Sequence, residues 1–308
     1  MLVEWDTAQI KDPTVITLGV FDGVHKGHQT ILSLLSEMSL TSGLPGVVVT
    51  FDPHPLEIVG KIKVELLLDL NDRLSIIDQF PHSLNVLIKF DSKFAEKSPE
   101  DFVKELAEKF NIREIIIGYN FQFGKGRRGD IRFLEEAGKK YKFRVMAVPP
   151  VEYNGSSISS SRIRYTLKDG DINSANEMLG RPFYLKGRVI RGRGLGKEIG
   201  FPTANISVPQ RLIIPKPGVY AVIGTVEEKK FMGVTNIGSA PTVRRESSIT
   251  VETHFINFNQ NIYDKLVKLD FIERIRPEIK FDGIDQLVLQ IRRDIETAEE
   301  IIKRKVLT

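Results

Sequence analysis

Five short apolar runs, separated by stretches of helical period, organise roughly the first 150 residues of the chain. The runs are VITLGVF (15–21), GVVVTF (46–51), LNVLIKF (84–90), REIIIGY (113–119) and FRVMAVP (143–149). They are rich in β-branched residues and apolar at successive positions, as strands covered on both faces must be. Helix-period segments fall between them at 26–41, 71–80, 99–110 and 131–141. Ser98-Pro99-Glu100 starts the third helix with an N-cap and a proline at its first position, and Gly43 with Pro45 stops the first. Alternating β and α elements predict a parallel, doubly wound α/β sheet.

The pattern then changes. Residues 158–179 have helical character, and from about residue 183 the chain reads as turn-separated strands. These are YLKGRVI, GVYAVIGTV, KKFMGVTNIG, SSITVETHFINF and KLVKLDFIERI, followed by a charged helical segment at 283–304. A small antiparallel β-barrel or sandwich with a C-terminal helix is the simplest arrangement. The expected domains are therefore 1–182 and 183–308.

In open α/β sheets ligands sit beyond the carboxyl ends of the strands. The unusual stretches fall there: DGVHKGH after the first strand, DPHP after the second, NFQFGKGRRGD after the fourth and EYNGSSISSSRIR after the fifth. His25 and His28 allow three readings. They could hold a metal with Asp22 or His54 as third ligand. They could be satisfied core or cap histidines. They could instead be donors to the phosphates of a nucleotide at a helix N-terminus, where Gly23 and Gly27 let a ligand approach the backbone. No His-Glu-x-x-His general base accompanies them. The hydroxyls of residues 159–161 and the guanidinium forks of Arg162 and Arg164 supply a second phosphate-binding set. Position and partner set favour the phosphate reading.

Composition narrows the class further. No apolar stretch approaches the ~18 residues of a membrane span, and the N-terminus has no apolar signal region. The chain has no cysteine, which excludes disulfides, thiolate metal sites and cysteine nucleophiles, and fits a cytoplasmic protein. The formal net charge of +4 is mild. One short basic loop at 125–128 is a weak nucleic-acid footprint, so neither a nucleic-acid nor a membrane partner is expected.

GVFDGVHKGH, TFDPHP, GYNFQFGKGRRGD and ISSSRIR, in this order, resemble the Rossmann-like nucleotidyltransferase half of prokaryotic bifunctional riboflavin kinase/FAD synthetases. The His-x-Gly-His element falls on His25, Gly27 and His28, and the Ile-Ser-Ser-x-x-x-Arg element runs from Ile158 to Arg164. The resemblance implies ATP at Gly19, Phe21, His25, His28, Ser159, Ser160, Arg162 and Arg164, with His28 and Arg164 catalytic. It implies the flavin at Pro53, His54, Pro55 and Asn120. Departures are Ser161, where many relatives have threonine, and Asn120 with Gln122, where many have DFRFG.

RGRGLGKEIGFPTANI (191–206) fits neither standard phosphate fingerprint. Only three residues separate Gly192 from Gly196-Lys197, and Glu198 stands where a P-loop has Ser or Thr. A surface hairpin loop and a flexible phosphate-wrapping loop are both compatible with it. Thr203 and Asn205 offer neutral oxygens on one side of a strand, enough for Mg²⁺ already held by phosphates. Glu252 stands alone among alternating residues, sharing a face with His254. It is either an outward-facing carboxylate or a base for a hydroxyl nucleophile.

GLGKEIGFPTANI, GVYAV, GVTNIGSAPTV, VETHFINF and the C-terminal KFDGIDQLVLQIRRDIETA resemble the riboflavin kinase module of the same family. That implies ATP at Gly194, Gly196, Lys197, Gly200, Thr203 and Asn205, with Mg²⁺ at the last two. Glu252 would be the base on the ribityl 5′-hydroxyl. Ala240 stands where many relatives carry arginine. The resemblance thus implies ATP-dependent phosphorylation of riboflavin to FMN, then adenylylation of FMN to FAD. The expected partners are these small molecules, acting on a monomer or weak homo-oligomer. Two rivals remain: a nucleotidyltransferase for another acceptor, such as a pantetheine or nicotinamide phosphate, and a regulator that kept the folds and lost the chemistry.

Overall fold

The computed structural model describes residues 1–192, 194–240 and 248–306. It divides into two compact units, Met1–Ser160 and Ser161–Thr308.

In the first unit six strands form one parallel sheet: β1 (Leu2–Glu4), β2 (Ile10–Leu18), β3 (Gly46–Asp52), β4 (Leu84–Lys89), β5 (Phe110–Gly118) and β6 (Arg144–Val148). Their spatial order is β1-β4-β3-β2-β5-β6. The helices are α1 (Lys26–Ser42), α2 (Pro55–Val59), α3 (Leu70–Ile77), α4 (Ser92–Ala95), α5 (Pro99–Lys109) and α6 (Ile131–Tyr141). A small hairpin, β7 (Glu152–Tyr153) with β8 (Ser156–Ser157), follows. The expected local signals operate. Ser98 Oγ accepts the Asp101 N–H at 3.0 Å to cap α5, and Gly43 closes α1 in the left-handed region at φ 69°.

From β2 the chain builds outward through β3 and β4, then returns to the other side of β2 for β5 and β6. That reversal falls between β2 and β5, and the carboxyl ends of the strands at such a point are where these sheets bind ligands. Val47, Val49, Val86, Ile88, Ile115 and Ile117 are fully buried in the sheet's core. Two features depart from the sequence pattern. The first strand starts at Ile10 and stops at Leu18 instead of running through 15–21. Phe21 has φ 53° and Val24 φ 37°, which no pleated strand accommodates, so Phe21 is buried by a loop and not by a ladder. The edge strand β1 was not legible, because three residues show no period. Next to it Trp5 stacks on Phe102 with centroids 6.0 Å apart, and its indole N–H donates to Glu105 at 2.7 Å.

The second unit opens with α7 (Ser160–Asp169) and α8 (Ile172–Leu179). Six strands then close a barrel, β9 (Phe183–Ile190), β10 (Ala204–Ser207), β11 (Gly218–Val226), β12 (Lys229–Ala240), β13 (Ser248–Phe255) and β14 (Leu266–Arg276), ordered β10-β13-β12-β11-β14-β9. All neighbours are antiparallel, and β9 pairs β10 to complete the ring. The helix α8 packs against β9 and β14. A helical turn, α9 (Leu195–Glu198), interrupts the glycine-rich stretch, and α10 (Ile284–Val306) ends the fold. Ala298, Ile301 and Ile302 of α10 pack on Ala221 and Ile272 of the barrel wall. The expected architecture, parallel α/β followed by an antiparallel barrel and helix, is the observed one.

Candidate functional site

Each unit carries a site. In the first it is built on the loop between β2 and α1. Gly19 N–H donates to Val49 O at 3.1 Å and Thr50 Oγ1 to Val20 O at 3.2 Å, so the loop leaves the sheet held against β3. Gly19 is required there, because a Cβ would stand 2.9 Å from the Phe21 ring. The buried Asp22 carboxylate accepts the N–H groups of Leu67 and Leu68, at 3.0 and 3.3 Å. Ser160 Oγ donates to the Asp22 carbonyl at 2.8 Å. The last residue of the first unit is thereby tied to the histidine loop.

His25 is the N-cap of α1, its Nδ1 accepting the His28 N–H at 3.4 Å. The two imidazoles stack with centroids 3.7 Å apart and planes 17° apart, and Phe21 meets His28 edge-on at 5.3 Å. A Cβ on Gly27 would stand 3.2 Å from the His25 ring, so this glycine makes room for the stack. His28 keeps partial exposure, yet its Nδ1 is enclosed and has no hydrogen-bond partner. Such atoms are rare and call for an explanation, of which a catalytic role is one. Burial, then the neighbouring His25, then the Arg73 guanidinium hold the His28 pKa well below 6.5. His28 is therefore neutral at neutral pH. Among the described residues no group of three or more His, Cys, Asp or Glu side chains is placed to hold a metal ion.

This gives a first testable expectation. Below about pH 6.5 the unfolded chain binds a proton at His28 that the folded one excludes, so the first unit loses stability as pH falls through that value. Trp5, the single tryptophan, reports unfolding of this unit. Its denaturation midpoint should fall between about pH 7.5 and pH 5.5, and His28→Asn should reduce that fall.

His54 caps α2, its Nδ1 accepting the Leu56 N–H at 3.2 Å, with Pro55 at the first helical position. Pro53 lies between it and the end of β3. Asn120, with Tyr119, Phe121, Gln122 and Arg127, lines a cavity of about 370 Å³ beyond β5. Ser159 immediately precedes α7, while Arg162 and Arg164 are carried on that helix in the second unit.

In the second unit a cavity of about 310 Å³ lies against the outer face of the barrel that α10 covers. Gly196, Thr203, Glu252 and His254 line it, with Asn236 and Glu278. Register explains the grouping. Glu252 on β13 pairs with Asn205 on β10 and with Asn236 on β12, so the three residues form one row across the sheet. The strand alternates as expected: Val251, Thr253 and Phe255 are buried, while Glu252 and His254 face the cavity. His254 Nδ1 donates to the Pro202 carbonyl at 2.9 Å, fastening β13 to the segment that carries Thr203. At the rim Arg276 makes a two-pronged ion pair with the buried Asp294, at 2.9 and 2.6 Å, and Gln290 supports the same carboxylate.

Thr203 and Asn205 alternate with the buried Ala204 and Ile206, which puts both polar side chains on one face of the chain. A Cβ on Gly192 would lie 2.1 Å from Asn205 Nδ2, so the glycine opens space over this amide. Two hard oxygens beside such a cradle suit Mg²⁺. Gly194 and Gly200 have φ 81° and 88° and bracket α9, which carries Lys197. The expected flexible loop is thus in part a helical turn; Arg193 lies outside the described residues, as do residues 241–243 and the Ala240 side chain. Asn236 and Arg73 carry no expectation from the sequence, and Asp22, considered there as a third metal ligand, instead anchors the loop through Leu67 and Leu68. Arg73 had a signal: in LLLDLNDRLSII it occupies the same helical stripe as Leu70, Leu74 and Ile77.

Comparison with known proteins is consistent across both units. The family model described as FAD synthetase matches residues 7–162, and that described as riboflavin kinase matches residues 179–302. The bifunctional riboflavin kinase/FMN adenylyltransferase of Bacillus subtilis (strain 168) is 36% identical over 289 residues, covering 92% of this chain and 91% of its own. That of Escherichia coli (strain K12) is 36% identical over 289 residues, covering 93% and 92%. A crystal structure from Streptococcus pneumoniae, described as a macrolide-efflux protein, superposes with a TM-score of 0.87 at 30% identity, over 97% of this chain and 98% of its own. Among the described residues no helix is long and apolar enough to cross a membrane.

Proposed function

The chain belongs to the bifunctional riboflavin kinase/FMN adenylyltransferase family and is an enzyme with both activities, and from that premise we propose how its residues divide the work. Residues 1–182 carry adenylyl transfer and residues 183–308 carry the kinase step. The row Asn205, Glu252, Asn236 at the barrel cavity supports this most directly, because it sets a carboxylate beside hard oxygen donors.

In the kinase step the 5′-hydroxyl oxygen of riboflavin bonds to the γ-phosphorus of ATP, the bond from that phosphorus to ADP breaks, and Glu252 takes the hydroxyl proton. A neutral alcohol needs a base, and Glu252 supplies it. Gly194, Gly196, Lys197 and Gly200 surround the ATP phosphates. Thr203 and Asn205 would hold Mg²⁺, which neutralises phosphate charge when bound. Thr203→Val should raise the Mg²⁺ concentration for half-maximal FMN formation by roughly tenfold, as loss of one oxygen ligand implies. The Mg²⁺ dependence of FAD formation should stay unchanged, and an unshifted kinase titration would remove Thr203 from the metal site.

In the adenylyl step a phosphate oxygen of FMN attacks the α-phosphorus of ATP, and the bond to pyrophosphate breaks. The nucleophile is already anionic, so the site requires position and charge stabilisation, not a strong base. His25 and His28, the start of α7 with Ser159 and Ser160, and Arg162 and Arg164 meet that need, with Gly19 and Phe21 shaping the loop. Pro53, His54, Pro55 and Asn120 take the flavin. The protein works in the cytoplasm as a monomer or weak homo-oligomer, with no nucleic-acid or membrane partner. Incubation with riboflavin, ATP and Mg²⁺ should yield FMN, FAD and pyrophosphate; FAD-free product would remove the adenylyl assignment.

A further inference from the structure

Among the described residues Arg73 is the bulkiest of the fully buried side chains, 2% exposed. Burying a guanidinium is costly, so its place on the core face of α3 requires a reason beyond packing. Its surroundings supply one. Nη2 donates to Phe51 O at 2.8 Å, at the carboxyl end of β3. The adjacent Thr50 hydroxyl donates to Val20 O, the start of the histidine loop. Just ahead of α3, Leu67 and Leu68 hold the carboxylate of Asp22 in the same loop. The segment leading into α3 and Arg73 itself thus stitch together the ends of β2 and β3. The guanidinium charge also acts on His28, disfavouring its protonation.

We propose that Arg73 is a positioning residue for adenylyl transfer: it anchors the end of β3, which in turn holds the histidine loop through Thr50, and it supplies a permanent positive charge nearby. The inference rests on the reading of His25 and His28 as phosphate-binding groups. As the bond from the α-phosphorus to pyrophosphate breaks, negative charge grows on the leaving group. A neutral His28 can donate a hydrogen bond but brings no net charge. A fixed cation in a low-dielectric setting acts on that growing charge without touching it and needs no rearrangement. The neutral His28 then provides direction, and Arg73 provides field.

The test uses two variants of the full chain. Arg73→Gln keeps an N–H donor for Phe51 O and removes the charge; Arg73→Lys keeps both charge and a donor. With FMN and ATP supplied, Arg73→Gln should lower kcat for FAD formation by about 10- to 100-fold, with KM for FMN within about threefold. Arg73→Lys should return kcat to within about fivefold of the native enzyme. Trp5 fluorescence verifies that the first unit is folded. Full activity of Arg73→Gln overturns the proposal, and so does equal impairment of the two variants, which would mean shape and not charge. If Arg73→Gln does not fold, Arg73→Lys decides alone: a folded, strongly impaired protein overturns the proposal, and a folded, active one supports it. His28→Ala in parallel separates the layers. Undiminished FAD synthesis there removes the underlying site reading, whereas loss there with an active Arg73→Gln removes only Arg73.

Discussion

Glu252→Gln should lower FMN formation from riboflavin by about 10²- to 10⁴-fold while FAD formation from supplied FMN continues at the native rate. The substitution preserves shape, replaces one acceptor oxygen with an N–H donor and removes the charge and the basicity. Glu252 sits in register between Asn205 and Asn236, and amide neighbours on both sides keep its local frame intact when the carboxylate becomes an amide. The residual rate is what alignment of ATP and alcohol can provide without a base. High-performance chromatography of the flavins separates the two outcomes in one sample. A small loss of FMN formation would show that Glu252 is a solvated strand residue.

His28→Ala should have the opposite pattern, with FAD formation falling by about 10²- to 10³-fold and FMN formation intact. His28 is the member of the stacked pair whose Nδ1 has no internal partner, and it is neutral because burial, His25 and Arg73 all oppose protonation. In the proposed reaction its loss removes a donor to the reacting phosphates. His25 is doubly engaged, as the cap of α1 and as the other half of the stack, so His25→Ala would mix helix destabilisation with lost chemistry. His28 is therefore the cleaner probe. An unaltered rate of FAD formation would make the stacked histidines a structural feature.

Much of the fold was legible because it rests on local grammar. Ser98 and Gly43 cap helices where their chemistry requires, and buried β-branched runs become parallel strands. What was hidden depends on pairs of positions far apart in sequence. GVF at 19–21 continues an apolar run and reads as strand, yet tertiary packing turns it into a loop with Phe21 and Val24 at positive φ. Strain of that kind concentrates where function demands a fixed geometry. Asn236 is one of several polar residues in β12 and acquires meaning only when β12 and β13 are aligned so that it stands beside Glu252. Arg73 was the exception: a charge on the apolar stripe of a helix is visible in sequence, although its partner at Phe51 is not. The residues proposed to hold phosphates in the first unit stand out in the sequence because they cluster in short segments at strand ends.

The central claim is that two reactions occur at two separate sites in one chain, and the double variant Glu252→Gln/His28→Ala measures it most directly. Both rates would be determined in the same protein, FMN formation from riboflavin and FAD formation from FMN. Independent sites predict that each rate matches that of the corresponding single variant to within about 0.5 kcal/mol of coupling, roughly a factor of two. A rate of FMN formation that falls further when His28 is changed, or of FAD formation that falls further when Glu252 is changed, would contradict the account.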